Sequence, residues 1–247
     1  GASLGVNVLV ARRALDADAD DALRAGAERR EALSALPPPE LDAALVAHFI
    51  GDRSLHPAQR DALGHLAAGH STLAVMATGR GKSLIFHLHA AREAIGGGRA
   101  SVFVYPLRAL VADQSFHLEE SFASIGCRVR TLTGETAPGG RDEAFAALAD
   151  GSLDVVLTTP EFLDHHASRF AATGRVGFVV VDEAHHVGLA RAGHRPAYAR
   201  LDRALETLGS PLTLAVTATA PDEVAEAIVR DLGSTRVVLD ATKRENL

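Results

Sequence analysis

Val75-Met76-Ala77-Thr78-Gly79-Arg80-Gly81-Lys82-Ser83 is the stretch on which the reading of this chain turns. The apolar run Thr72–Met76 reads as a short buried strand, and the apolar pattern Leu84–Ile95 reads as a helix. A strand, a tight glycine loop and a helix in succession aim backbone N–H groups and a helix N-terminus at one point, which suits phosphate. In that setting Thr78, Gly79, Arg80 and Gly81 form the cradle. Lys82 would reach the outer phosphates and the Ser83 hydroxyl would ligate Mg²⁺. The stretch is the short form A-T-G-x-G-K-S; the longer form G-x-x-x-x-G-K-[ST] would need a glycine where Met76 stands. An ordinary strand-to-helix turn could carry the same residues, so the rest of the chain decides.

The 247 residues suffice for one large domain or two small ones, and a hydrophobic content of 47% provides a sizeable core. No apolar run approaches the roughly 20 residues of a membrane span, so no membrane partner is expected. Gly1-Ala2-Ser3 lacks both an initiator methionine and a basic region ahead of an apolar one. That start reads as a fragment or a processed chain without a signal peptide. One cysteine, Cys127, excludes a disulfide framework and a cysteine zinc site, and a reducing, cytoplasmic setting is the natural expectation. The net charge of −6 excludes a globally basic nucleic-acid binder but leaves room for a local set of phosphate contacts.

Taken in order, residues 8–35 read as a weakly periodic helix interrupted by Asp16, Asp18, Asp20 and Asp21. Pro37-Pro38-Pro39 reads as a helix stop and a boundary, followed by a short helix Leu41–Ile50. Residues 1–50 therefore stand as a helical segment, accessory or the end of a preceding domain, before a main domain over 51–247. A helix Pro57–Ala67 leads into the first strand, with Pro57 suited to the first turn. Gln59 near its start offers an amide that can pair with the N6 and N7 edge of adenine, or can simply be a solvated helix residue.

After the glycine loop, strand and helix alternate. Strands are expected at Ser101–Tyr105, Arg128–Leu132, Asp154–Leu157, Phe178–Val181, Leu212–Val216 and Arg236–Leu239. Helices are expected from Pro106 to about Ile125, and over Arg141–Ala149, Phe162–Phe170 and Pro221–Leu232, with Gly134–Gly140 as a loop. Apolar strands separated by helices mean a mostly parallel sheet covered on both faces. Ligands in such folds sit at the carboxyl ends of the strands, and each polar motif here follows such an end.

Asp182 follows the apolar Phe178–Val181, and a carboxylate at that tip, facing a phosphate loop, is what Mg²⁺·ATP needs. Glu183 beside it can orient and deprotonate a water. Two adjacent acids could instead cap a helix. His185, His186 and His194 lie near, but without a cysteine their spacing matches no common zinc site.

The order Leu55-His56-Pro57-Ala58-Gln59, Ala77–Ser83, Tyr105-Pro106-Leu107-Arg108-Ala109-Leu110, Thr158-Thr159-Pro160-Glu161, Asp182-Glu183-Ala184-His185 and Leu214–Ala220 resembles the first motor domain of a superfamily 2 DEAH/DEAD-box helicase, most closely of RecQ-like type. The resemblance covers about residues 49–247. It implies a RecA-like P-loop NTPase fold and a hydrolase that spends ATP with Mg²⁺ to move on nucleic acid, single-stranded DNA above all, in repair or recombination. At the matching positions it implies that Gln59 reads adenine, that Lys82, Ser83, Asp182 and Glu183 handle phosphate, metal and water, and that His185, Thr217 and Thr219 couple nucleotide state to grip. Arg108, Thr159, Glu161 and Arg195 would lie along the nucleic-acid path, touching mostly backbone phosphate.

Three departures from the family stand out. The aromatic-rich loop expected after Asp182–His185 is Val187–Tyr198 here, ending in Arg195-Pro196-Ala197-Tyr198 but lacking tryptophan and phenylalanine. Asp52 occupies the position of an adenine-stacking aromatic, and Arg80 that of a loop glycine. The resemblance also implies a second RecA-like domain, whose motifs are not found, with Arg244–Leu247 resembling the start of the link to it. The expectation is half a motor, nearly inactive alone. The alternatives are a nucleotide-dependent binding or regulatory module with little ATPase activity, and an RNA helicase domain.

Overall fold

Seven short strands, nearly all apolar, can satisfy their backbones and stay dry only inside one sheet covered on both sides. The computed structural model, which describes residues 19–106, 118–190 and 196–240, has that arrangement. In chain order its elements are α1 (19–34), α2 (Pro38–Ile50), α3 (Pro57–Ala67), β1 (Thr72–Val75), α4 (Lys82–Gly96), β2 (Ala100–Val104) and α5 (118–123). There follow β3 (Val129–Leu132), α6 (Pro138–Asp150), β4 (Val155–Thr158), α7 (Pro160–Ala172), β5 (Val176–Val181) and α8 (His185–Ala190). A 3₁₀ turn (Tyr198–Arg200), α9 (Leu201–Thr207), β6 (Leu212–Thr217), α10 (Asp222–Asp231) and β7 (Arg236–Leu239) complete them.

The sheet has the order β3-β4-β2-β5-β6-β1-β7. Every pairing is parallel, so the expectation of a mostly parallel sheet becomes a wholly parallel one. Alternation along the strands divides the core. Phe178 and Val180 of β5, with Phe103 of β2, join Leu41, Leu45, Phe86 and Phe122 on the face covered by α1–α5. Val179 and Val181, with Val102 and Val104, join Phe145, Phe162, Phe170, Leu201 and Ile228 on the face covered by α6–α10. The side-chain period of two in a strand requires this division.

Proline punctuation differs from its expected reading in two places. Pro37-Pro38-Pro39 begins a helix: Pro37 is the N-cap of α2 and a proline fills its first turn. A missing N–H costs nothing there, because the first-turn donors have no helical partner. For the same reason α6 starts at Pro138, so Gly139 and Gly140 are helical and not loop. The helix α9 is not expected from the sequence; of the helix expected from Pro106 to about Ile125, residues 107–117 lie outside the described residues and 118–123 are helical.

The helices α1 and α2 are built onto the sheet. Leu33, Leu41 and Leu45 are buried in the same cluster as Phe86 and Phe103. Gly26 of α1 meets the turn after α5 backbone to backbone: a Cβ on Gly26 would stand 2.4 Å from the Ala123 carbonyl oxygen. One helical turn on, the Arg30 guanidinium grips Asp154 with two bonds of 2.8 Å and donates to the carbonyls of Gly126 (2.9 Å) and Ala94 (3.2 Å). Asp154 is 1% exposed and also accepts the Arg128 N–H. Removing one partner of a buried pair leaves an uncompensated charge, which costs about 3 kcal/mol. Arg30→Met should therefore lower the unfolding midpoint by roughly 6–12 °C, at 2–4 °C per kcal/mol for a chain of this size. A thermal or urea melt checks this, and an unchanged midpoint would mean that α1 is not docked as described.

Candidate active site

Because the strands are parallel, their carboxyl ends share one edge. The loop after β1, Asp182 after β5 and Thr217 at the end of β6 all open there. The loop turns on Gly79 (φ +80°) and Gly81 (φ +72°), and Gly81 is the N-cap of α4, so Lys82 heads the helix with Ser83 beside it. The Arg80 N–H closes the turn on the Ala77 carbonyl at 3.2 Å.

Gln59 holds this loop from the side. It is 6% exposed, and both ends of its amide are engaged. Its Oε1 accepts the His56 N–H (2.8 Å) in a capping box at the start of α3. Its Nε2 donates to the carbonyls of Arg80 (3.2 Å) and Gly81 (3.0 Å). In this state the amide reads loop backbone. Glycine at position 81 is favoured by its φ of +72°, and a Cβ there would stand 2.6 Å from Gln59 Nε2 and displace the amide from the loop.

Across the edge, Asp182 Oδ1 accepts the Glu183 N–H at 2.9 Å. Burial pushes the Asp182 carboxyl up to about 6; the Glu183 charge raises it further, while the Glu183 N–H and the Lys82 charge pull it back. Loop and acid thus feel one another's charge. Glu183 adopts φ +48°, a left-handed conformation that non-glycine residues seldom take and that tends to be held at functional sites. Its Oε2 lies 3.2 Å from His185 Nδ1, which lies 3.1 Å from Thr217 Oγ1. The Thr217 hydroxyl proton goes to the Thr219 carbonyl, so Nδ1 carries the proton and donates to Thr217 Oγ1, with the Glu183 carboxylate at ion-pair distance beside it. Thr217 in turn donates to the Thr219 carbonyl (3.0 Å) and accepts the Thr219 N–H (3.4 Å). His185, Thr217 and Thr219 therefore form a chain of hydrogen bonds, with Glu183 at its head by an ion-pair contact, linking the ends of β5 and β6.

The remaining expected residues divide. Thr159 is buried as the N-cap of α7, its hydroxyl accepting the Phe162 N–H at 3.4 Å, and Glu161 is exposed in that helix's first turn. Arg108 and Arg195 lie outside the described residues, as do Arg244–Leu247 and residues 191–195 of the loop after His185. Three participants escaped the sequence reading. Tyr198, 1% exposed, donates its hydroxyl to the Asp182 carbonyl at 3.4 Å. His56 caps α3, and the pairing of a capping residue with Gln59 three positions on was a legible signal. Asp240, beyond β7, meets Arg80 and had no local signal at all. Cys127 is buried and its thiol is pushed up to about 12 by burial, as fits a core residue.

The donor set suits a triphosphate with a hard divalent cation: backbone N–H groups at a helix start, one ammonium, one hydroxyl and one carboxylate. Among the described residues no group of three His, Cys, Asp or Glu side chains could hold a metal. A cation here would depend on phosphate and water for most of its ligands, which is how Mg²⁺ is commonly held.

The sequence profile of DEAD/DEAH box helicases matches residues 56–227, which contain every strand except β7. The chain belongs to the DEAD/DEAH box helicase family. It is 31% identical over 214 residues to the Lhr helicase/probable uracil glycosylase of Mycolicibacterium smegmatis, covering 77% of this chain and 14% of that protein. It is 31% identical over 200 residues to the RecQ-like DNA helicase blm-1 of Caenorhabditis elegans, covering 72% of this chain and 18% of that one. The crystal structure of the DUF1998 helicase MrfA bound to DNA and AMPPNP superposes with a TM-score of 0.63 at 25% identity, covering 79% of this chain and 29% of that chain. The chain thus spans under a third of each of these proteins. The domain is the RecA-like helicase fold with RecQ-like relatives, and no helix among the described residues is long and apolar enough to cross a membrane.

The elevated Asp182 carboxyl has a thermodynamic signature. Its folded value, about 6, lies above the unfolded value of 3.8, so the native state binds the extra proton between those limits and loses stability as pH rises through them. Asp182→Asn should stabilise the free protein at pH 7 by roughly 2–3 kcal/mol, at 1.36 kcal/mol per pKa unit. The gain should shrink steadily as pH is lowered from 6 and vanish near 4. Unfolding midpoints of the two proteins across that range test it; a gain independent of pH would contradict the assignment.

Proposed function

We propose that this chain is the first motor domain of an ATP-dependent DNA helicase or translocase of RecQ-like type, working with a second RecA-like domain of the same parent protein. The observation that carries the reading is the convergence on the carboxyl edge of the sheet of the glycine loop headed by Lys82 with Asp182 and Glu183, the latter joined to Thr217 through His185. The capture of MrfA with DNA and AMPPNP supports both ligands for a domain of this shape. Residues 51–247 would form the motor domain and residues 1–50 an accessory helical segment.

Each residue has a defined task. The loop N–H groups and Lys82 bind the β and γ phosphates of ATP. Ser83 and Asp182 would hold Mg²⁺, which when bound neutralises phosphate charge. Glu183 accepts the proton of the attacking water. Its contact with His185 keeps the carboxylate aimed, and the same imidazole links Glu183 to Thr217 and Thr219. Those two lie where β6 ends, so grip on nucleic acid can follow the nucleotide. Arg108, Thr159, Glu161 and Arg195 would line a single-strand path that reads backbone and not base. Gln59 would meet adenine by exchanging its bonds to Arg80 and Gly81 for the base edge.

Transition-state arginines come from a second domain in motors of this kind, and such residues contribute on the order of 10³–10⁵ in rate. Alone, the chain should bind ATP weakly, hydrolyse it very slowly and leave duplex DNA intact. In the protein carrying both domains, Glu183→Gln should reduce DNA-stimulated ATP hydrolysis by roughly 10²–10⁴-fold while ATP binding persists. A kinetic assay with single-stranded DNA and RNA side by side tests both points. Undiminished turnover would remove Glu183 as the base, and stimulation by RNA alone would replace the DNA reading.

A further inference from the structure

The carboxyl end of β7 contributes a group to the phosphate loop that the motor mechanism above does not use. Asp240 follows the last residue of β7, and its N–H continues the ladder by donating to the Val75 carbonyl at 3.0 Å. That backbone bond fixes it beside the point where β1 gives way to the loop. Its side chain is 5% exposed, and Oδ2 lies 3.4 Å from Arg80 Nε. Oδ1 lies 3.9 Å from His56 Nε2. Arg80 is thus held at both ends. Its backbone carbonyl accepts from Gln59 and its guanidinium meets Asp240.

A nearly buried carboxylate at the mouth of a phosphate site is a liability. Two like charges in a partly desolvated setting repel strongly, and a triphosphate brings several. The cation that offsets it stands within the loop, at the position between Gly79 and Gly81. The pair therefore does two things. It neutralises Asp240, and it ties the side of the loop to β7 as Gln59 ties it to α3.

We propose that Asp240 is a positioning residue of the nucleotide site, acting through Arg80, and that the pair sets the affinity and the triphosphate preference of the loop. This inference rests on reading the loop as an ATP site. Arg80→Gly alone uncovers the carboxylate and loosens one side of the loop. Asp240→Asn alone removes the repulsion and leaves a cation free beside the phosphates. The two substitutions together remove both the charge and its offset, so their effects are not additive.

The test is a double-mutant cycle read by titration calorimetry with Mg²⁺·ATP and Mg²⁺·ADP. Arg80→Gly should weaken ATP binding roughly tenfold and ADP binding less, because ADP brings less charge. Asp240→Asn should leave ATP affinity unchanged or raise it about threefold, and the double variant should return to within about twofold of the parent. Arg80→Lys keeps the charge and should retain most of the ATP affinity, which separates charge from loop flexibility if the glycine variant folds poorly. Equal losses for ATP and ADP, or effects that simply add, would overturn the role of Asp240 while leaving the ATP site intact. A parent chain that binds neither nucleotide would overturn the site and this inference together.

Discussion

Burial of the central strands on both faces is the constraint from which the rest of this structure follows. β2, β4 and β5 are buried along their whole length, so no strand there can turn back through a hairpin with a solvated face. Each must cross over through a helix and re-enter parallel to the last. Helices α1–α5 cover one side and α6–α10 the other, and the seven carboxyl ends are left on one edge. Residues distant in sequence, Gln59, Lys82, Asp182, Thr217 and Asp240, become neighbours along that edge or beside it because the hydrophobic effect permits no other arrangement of the strands between them.

On that edge the chemistry is one of managed charge. Asp182 is desolvated enough to resist ionisation, and the Lys82 ammonium and the Glu183 N–H oppose that tendency. Asp240 is nearly as enclosed and is met by Arg80. Two enclosed acids thus lie near two cations of the same loop, Asp182 with Lys82 and Asp240 with Arg80. The strained Glu183 and its imidazole partner stand beside Asp182.

Much of this was legible beforehand. Unbroken apolar runs gave the strands, because a strand buried on two faces has no polar alternation to disguise it. The phosphate loop, Asp182, Glu183, His185 and Thr217 were visible because each follows such a run at once. Prolines stand where the sequence suggests a stop, at Pro37–Pro39, and a glycine loop, over Gly134–Gly140, yet a residue without an N–H is most at home where a helix begins. Tyr198 and Asp240 were silent for a different reason. Each acts through contacts made by long-range packing, which leave no local pattern in the sequence. Gln59 was seen as a reader of adenine, but not as a clamp on the loop backbone, which depends on the helix α3 lying alongside the turn.

The central claim is that the loop Ala77–Ser83, headed by Lys82, is a working triphosphate site. The direct measurement is calorimetric binding of Mg²⁺·ATP to this chain and to its Lys82→Ala variant, with GTP alongside. The account predicts that ATP binds in preference to GTP and that loss of the ammonium abolishes the heat of binding. Equal binding by the parent and the variant, or none by the parent at millimolar ATP, would contradict it.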